Sequence, residues 1–145
     1  MALSTAADVA KYIIHESLQR KEPVSNLKLQ KLLYFIQGSC LVINGEQAFD
    51  DDIVAWKYGP VVKSVYYTYS VYGANDIITT FDEEITLPQH LKEVVDFVLD
   101  NLLPVSAITL VNETHLEGSP WKEVDTNEKL SISSIKSYFK KHYLG

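Results

Sequence analysis

Cysteine and methionine each occur once in the 145 residues, and glycine (6) and proline (5) are sparse. A single thiol excludes an intramolecular bridge, and with it a disulfide-stapled secreted scaffold. No stretch approaches the roughly 20 apolar residues of a membrane-spanning helix. Residues 1–8 also lack the basic region and sustained apolar run of a secretory leader, so a cytoplasmic protein is expected. Positive charge is short as well: 13 Lys and Arg stand against 19 Asp and Glu, for a formal charge of −6 and a pI near 5.1. That balance opposes wrapping DNA or an anionic membrane and suits a basic protein partner. There is no glycine-rich phosphate cradle and no serine in a strand-turn-helix elbow, and the histidines at 15, 90, 115 and 142 have no metal-ligand spacing. Neither a metal nor a cofactor is implied.

What is present is helical periodicity. Leu29, Leu32, Leu33, Ile36, Cys40 and Ile43 recur at i, i+3, i+4, i+7, i+11 and i+14, with Leu27, Tyr34 and Phe35 widening the stripe. Ser25 and Asn26 can cap this helix after Pro23, and Asn44-Gly45 is a left-handed exit. A helix apolar over so much of its girth belongs at the centre of a domain, where Cys40 reads as a buried, inert thiol. Ser4 to Asp8 opens an earlier helix on Ala6, Val9 and Ile13 that stops before Pro23. Gly59-Pro60 is expected to start a third helix carrying Val62, Val65, Tyr66, Tyr69 and Tyr72 and ending at Gly73. Pro88 opens a fourth on Leu91, Val94, Val95, Val98 and Leu102, and a fifth runs from Ser106 to Thr114. Ser131 caps the last, with Ile132, Ile135, Tyr138 and Phe139 inward and Lys136, Lys140, Lys141 and His142 outward. Between the second and third, Asp50-Asp51-Asp52 reads as a solvated turn before a small β element near Ile53–Tyr58. Ile77–Leu87 reads as two short strands or as a loop. The expected fold is mainly α: one compact domain, residues 1–145, of five to six helices around a central buried one.

Few residues invite chemistry. His115 with Glu117 could form a general base, Thr114 or Ser119 supplying a hydroxyl, which is the hydrolase reading. The structural alternative has His115 closing a helix while Trp121 plugs the core behind Pro120. Tyrosines at 58, 66, 67, 69 and 72 crowd one region, either as core with hydroxyls at the surface or as interface anchors. Lys57, between Trp56 and Tyr58, either covers aromatic surface with its stem or meets an acidic patch on a partner.

Leu27 to Tyr34 (Leu-Lys-Leu-Gln-Lys-Leu-Leu-Tyr), Ala55 to Val62 (Ala-Trp-Lys-Tyr-Gly-Pro-Val-Val), then His115 and Pro120-Trp121 together resemble the Panacea domain of the SocA-like antitoxin family. The resemblance spans Leu27 to Trp121. It implies a non-enzymatic protein of prophages or mobile elements that neutralises a cognate protein toxin by direct binding, or by delivering it to a ClpXP protease. Candidate partner contacts are Trp56, Lys57, Tyr58 and Tyr67, joined by Lys31 and Tyr34 if the central helix is not wholly covered. Leu29, Leu32, Leu33, Ile36, Gly59, Pro60, His115, Pro120 and Trp121 are read as framework. The chain departs from the family pattern at Ser39-Cys40 and in its heavy acidic turn. Rival readings are a DNA-binding regulator of its own operon, built on two helices about a short turn, and the hydrolase.

Overall fold

The computed structural model describes residues 2–144 and is mainly helical, with six α-helices and four three-residue strands. Helix α1 spans Ala6–Gln19, and Thr5 Oγ1 accepts from the Asp8 amide at 3.2 Å. Its first amide, on Ala6, donates to Asp51 Oδ1 at 3.0 Å. Of the acidic turn, then, Asp50 and Asp52 are exposed while Asp51 meets the positive end of α1.

Helix α2, Asn26–Ile43, starts at Ser25, whose Oγ accepts from the Lys28 amide at 3.2 Å, and leaves through Gly45 at φ +71°. Every residue from Leu29 to Leu41 is buried. Such a helix has no solvent side: α1, α4 (Gln89–Leu102), α5 (Ala107–Thr114), α6 (Ile132–His142) and the strands surround it. Against α6, Tyr34 and Phe35 meet Phe139 edge-on, with ring centroids 5.3 and 5.7 Å apart. Gly38 permits this approach, because a Cβ there would lie 2.5 Å from the Phe139 ring.

The strands form two small pairs. β1, Ala2–Ser4, runs parallel to β2, Gln47–Phe49, in the register Ala2 to Gln47 and Ser4 to Phe49; the sequence had not pointed to this pair. β3, Val54–Trp56, is antiparallel to β4, Gly59–Val61, around a two-residue turn at Lys57-Tyr58. Residues 127–130 lie along the other edge of β3, where the Ala55 amide donates to Glu128 O at 2.9 Å and the Leu130 amide to Ile53 O at 2.8 Å.

One expectation needs correction, and one alternative is decided. Pro60 does not start a helix: it sits in β4 opposite Ala55, and α3, Lys63–Thr68, begins after it and is followed by a 3-10 turn at Ser70–Tyr72. A fixed φ near −65° and a missing N–H suit a short edge strand as well as a helix start, and the pairing of 54–56 with 59–61 decides between them. Of the two readings of Ile77–Leu87, the loop holds and the strands do not form. The Ile77 amide donates to Val24 O at 2.8 Å, and the rest is an irregular segment held by buried Ile77 and Leu87 with Phe81 and Ile85 packed on the core.

Candidate functional site

The hairpin β3–β4 is held on α2 by a polar ladder. Asn26 Nδ2 donates to Tyr66 O at 2.9 Å, Gln30 Nε2 to Asn26 Oδ1 at 3.0 Å, and Gln30 Oε1 accepts from the Val62 amide at 2.9 Å. One residue on, Lys31 Nζ donates to Pro60 O at 2.7 Å. Two turns further, Gln37 accepts from the Ala48 amide at 2.7 Å and donates to Phe49 O at 2.9 Å, which binds β2 in the same way. These polar side chains satisfy strand groups that would otherwise be buried unpaired. Gly59 completes the fit: its φ is +110°, and a Cβ there would stand 2.8 Å from both Lys31 Cε and Thr114 Oγ1.

Lys31 and Tyr34 are therefore not surface contacts, because α2 is wholly covered at both. Lys31 is 0% exposed and Tyr34 1% exposed. Burial alone pulls the Lys31 ammonium down to about 7. Tyr34 belongs to the aromatic packing against α6, and its hydroxyl is buried without a partner. Burial, foremost, raises that hydroxyl's pKa.

The other four candidates come together at the hairpin tip. Tyr58 and Tyr67 are 56% and 62% exposed, and Lys57 Nζ lies 5.4 Å from the centre of the Tyr58 ring. Trp56 meets Tyr66 edge-on at 5.0 Å and Tyr67 at 6.1 Å, and its Nε1 donates to Asn127 Oδ1 at 3.2 Å. Beside these rings is a cleft of about 390 Å³ walled by Trp56, Tyr58 and Tyr66, with Lys57 at its rim and Lys31 and Gln30 behind. The result is an exposed aromatic and cationic face on a rigidly docked turn.

His115 and Trp121 support that face from behind. Their rings stack 3.8 Å apart at 14°, and Trp121 Nε1 donates to Trp56 O at 2.7 Å. Ser119 and Pro120 are buried beside them, with Ser119 Oγ donating to Thr114 O at 2.9 Å. His115 does end α5, its backbone amide donating to Asn112 O at 3.1 Å, while its ring stacks on Trp121. His115 Nε2 is buried without a partner among the described residues, and burial, then Lys31 and Lys122, hold the ring below its ordinary pKa. Glu117 faces Lys122 at 4.0 Å and makes no hydrogen bond to His115 among the described residues, so the suggested dyad is not assembled.

A second concavity, of about 400 Å³ and almost wholly apolar, lies where α4, α5 and α6 meet over α2, lined by Phe35, Phe97, Val98, Leu110, Phe139 and Tyr143. Sequence reasoning missed it. The exposed Phe97, off the Leu91–Leu102 stripe of α4, was the available signal. Among the described residues no single helix is long and apolar enough to cross a membrane.

Comparison with known proteins identifies a family. The family described as "Antitoxin SocA-like, Panacea domain" matches residues 29–122, which runs from the central helix through the hairpin to the Trp121 support. Antitoxin SocA of Caulobacter vibrioides (strain NA1000 / CB15N) is 34% identical over 127 residues, covering 80% of this chain and 68% of the relative. No solved structure matches the chain. By both the extent of the match and the identity, the chain belongs to the SocA-like antitoxin family and carries its Panacea domain.

Proposed function

We propose that the protein neutralises a cognate toxin in the cytoplasm by binding it directly through the hairpin tip, with Trp56, Lys57, Tyr58 and Tyr67 as the central contacts. The observation that carries this reading is the pairing of strong exposure with rigid support: Tyr58 stands out from a turn pinned to α2 by Gln30 and Lys31 and to the 115–121 segment by Trp121, and Tyr67 stands out from α3 beside it, against the Trp56 ring. Exposed aromatic rings held in fixed positions lose little entropy on binding, which is why Tyr and Trp dominate interface energetics. An interface of roughly 1,200–2,000 Å² in total fits a domain of this size. The role requires no bond chemistry, and no catalytic residue is assigned.

The natural test partner is the product of a small co-transcribed reading frame that is toxic when expressed alone. Co-expression with the wild-type chain should restore growth, and alanine at Lys57, Tyr58 and Tyr67 together should abolish the rescue while the chain remains folded. Rescue by the triple variant would sink the assignment of the surface. Delivery to a ClpXP protease is the finer form of the same reading: the toxin's half-life would shorten when the antitoxin is present and return to normal in a strain lacking the protease. The DNA-binding alternative, built on two helices about a short turn, has the exposed Lys136, Lys140 and Lys141 of α6 to offer as a basic face, against a net charge of −6.

A further inference from the structure

We propose that the apolar concavity over α2 is the seat of a symmetric dimer: a second copy of this chain covers it, and Phe97 of each copy enters the concavity of the other. This goes beyond the toxin reading and does not depend on it, because the concavity and the cleft at the hairpin share no lining residue.

Apolar surface gives the first argument. Phe97 on α4 and Tyr143 just past α6 both wall the concavity, yet they remain 46% and 38% exposed. Large apolar side chains left open around a hollow mark a surface that another molecule covers. The hollow is also held in shape: the Tyr143 ring meets Phe139 at 5.0 Å and Phe35 at 5.9 Å, and its hydroxyl donates to Glu113 Oε2 at 2.7 Å. About 400 Å³ between such walls accommodates an aromatic ring, the kind of anchor that carries most of an interface's energy. The chain presents a ring of that kind on its own surface, Phe97.

Charge at the rim gives the second, and it selects the occupant. A two-fold contact lays a patch on a copy of itself, so the patch must complement itself. Glu93 precedes Phe97 by one turn of α4, and Glu113 lines the concavity from α5. On α6 the exposed Lys136 and Lys140 precede Phe139 and Tyr143 by three residues, which sets two cations along that side. None of these four charges makes an ion pair among the described residues, whereas Asp96 and Asp100 of the same α4 are held by Arg20. The α4 and α5 side is therefore acidic and the α6 side basic, each unpaired within its own chain. A partner of one charge sign would be repelled at one rim or the other. A second copy, turned so that its α6 lies on α4 and α5, is attracted at both.

The test is sedimentation equilibrium of the full chain without toxin, over a range of concentrations. The weight-average mass should climb from 16.4 kDa toward twice that value, with half the chain dimeric at or below about 200 µM. A chain still mostly monomeric at that concentration overturns the proposal. Phe97→Asp should weaken the dimer at least about 30-fold without altering the far-ultraviolet circular dichroism. An undiminished dimer in that folded variant places the contact on another face and overturns it equally. The rim is tested by charge reversal, which needs no change at Phe97 and no buried substitution. Glu93→Lys should weaken the dimer at least about threefold, and combining it with Lys136→Glu or with Lys140→Glu should bring one of the two pairs back to within about twofold of the wild type. Recovery with neither lysine overturns the symmetric pairing. Toxin titrated into Phe97→Asp separates this face from the hairpin. Unchanged toxin affinity is expected; a loss there, with the wild-type chain monomeric, would make the toxin the occupant of the concavity and overturn the dimer alone.

Discussion

Lys31 shows how little a side chain's spacing says about its surroundings. It lies two residues from Leu29, off the Leu29–Ile36 stripe, where a lysine would ordinarily meet water. What covers it is the hairpin, and nothing local in the helix announces that cover. The consequence for stability is testable. Unfolded, its amine titrates near the ordinary value of about 10.4; folded, it titrates at about 7. Between those values the unfolded chain holds a proton that the folded chain lacks, so the lysine's burial penalty is complete below pH 7 and is relieved as pH rises. Denaturant unfolding of the wild type should therefore gain on Lys31→Met by roughly 1 kcal/mol per pH unit between pH 7 and 10. Parallel curves for the two proteins would show that the amine is not desolvated. Gly38 is a second hidden case. Its cost inside a helix is visible in the sequence, but the reason, the Phe139 ring against its Cα, is visible only in the packing. Gly38→Ala should lower stability by about 1–3 kcal/mol through overpacking, read as a fall in thermal midpoint.

At the scale of elements, helices were more legible than strands: of the four strands only β3, within the β element read near Ile53–Tyr58, was anticipated. Thr5, Ser25, Ser106 and Ser131 each accept an amide hydrogen three residues on, and the apolar residues of α1, α2, α4 and α6 keep the helical period, so starts and faces followed from local chemistry. A strand of three residues offers one alternation at most. The pair β1–β2 joins distant segments, and Pro60 was misplaced because Gly59-Pro60 pairs back across a two-residue turn onto β3 instead of opening a helix. The His115–Trp121 block was legible as framework, though not the way it works: its indole holds the carbonyl of Trp56. Trp121→Phe keeps a ring to stack on His115 and removes that hydrogen bond. It should cost about 1 kcal/mol and speed amide hydrogen exchange within 54–61 and 127–130 more than elsewhere. Uniform acceleration across the chain would mean that Trp121 serves the core at large.

For the whole molecule, the mainly helical architecture around one buried helix and the family membership were both readable, because they rest on long periodic segments and on motif blocks in order. The face proposed for binding was only partly readable. Trp56, Lys57, Tyr58 and Tyr67 do gather at one tip, whereas Tyr34 turns to the opposite packing against α6 and Lys31 lies beneath the hairpin. The proposal rests on the aromatic tip of an acidic domain, so binding is what should be measured. Calorimetric titration of the toxin should give a tight complex with the wild-type chain. The Lys57, Tyr58 and Tyr67 triple alanine variant should bind at least about 100-fold more weakly with little change in thermal midpoint. Undiminished affinity in that folded variant would contradict the account.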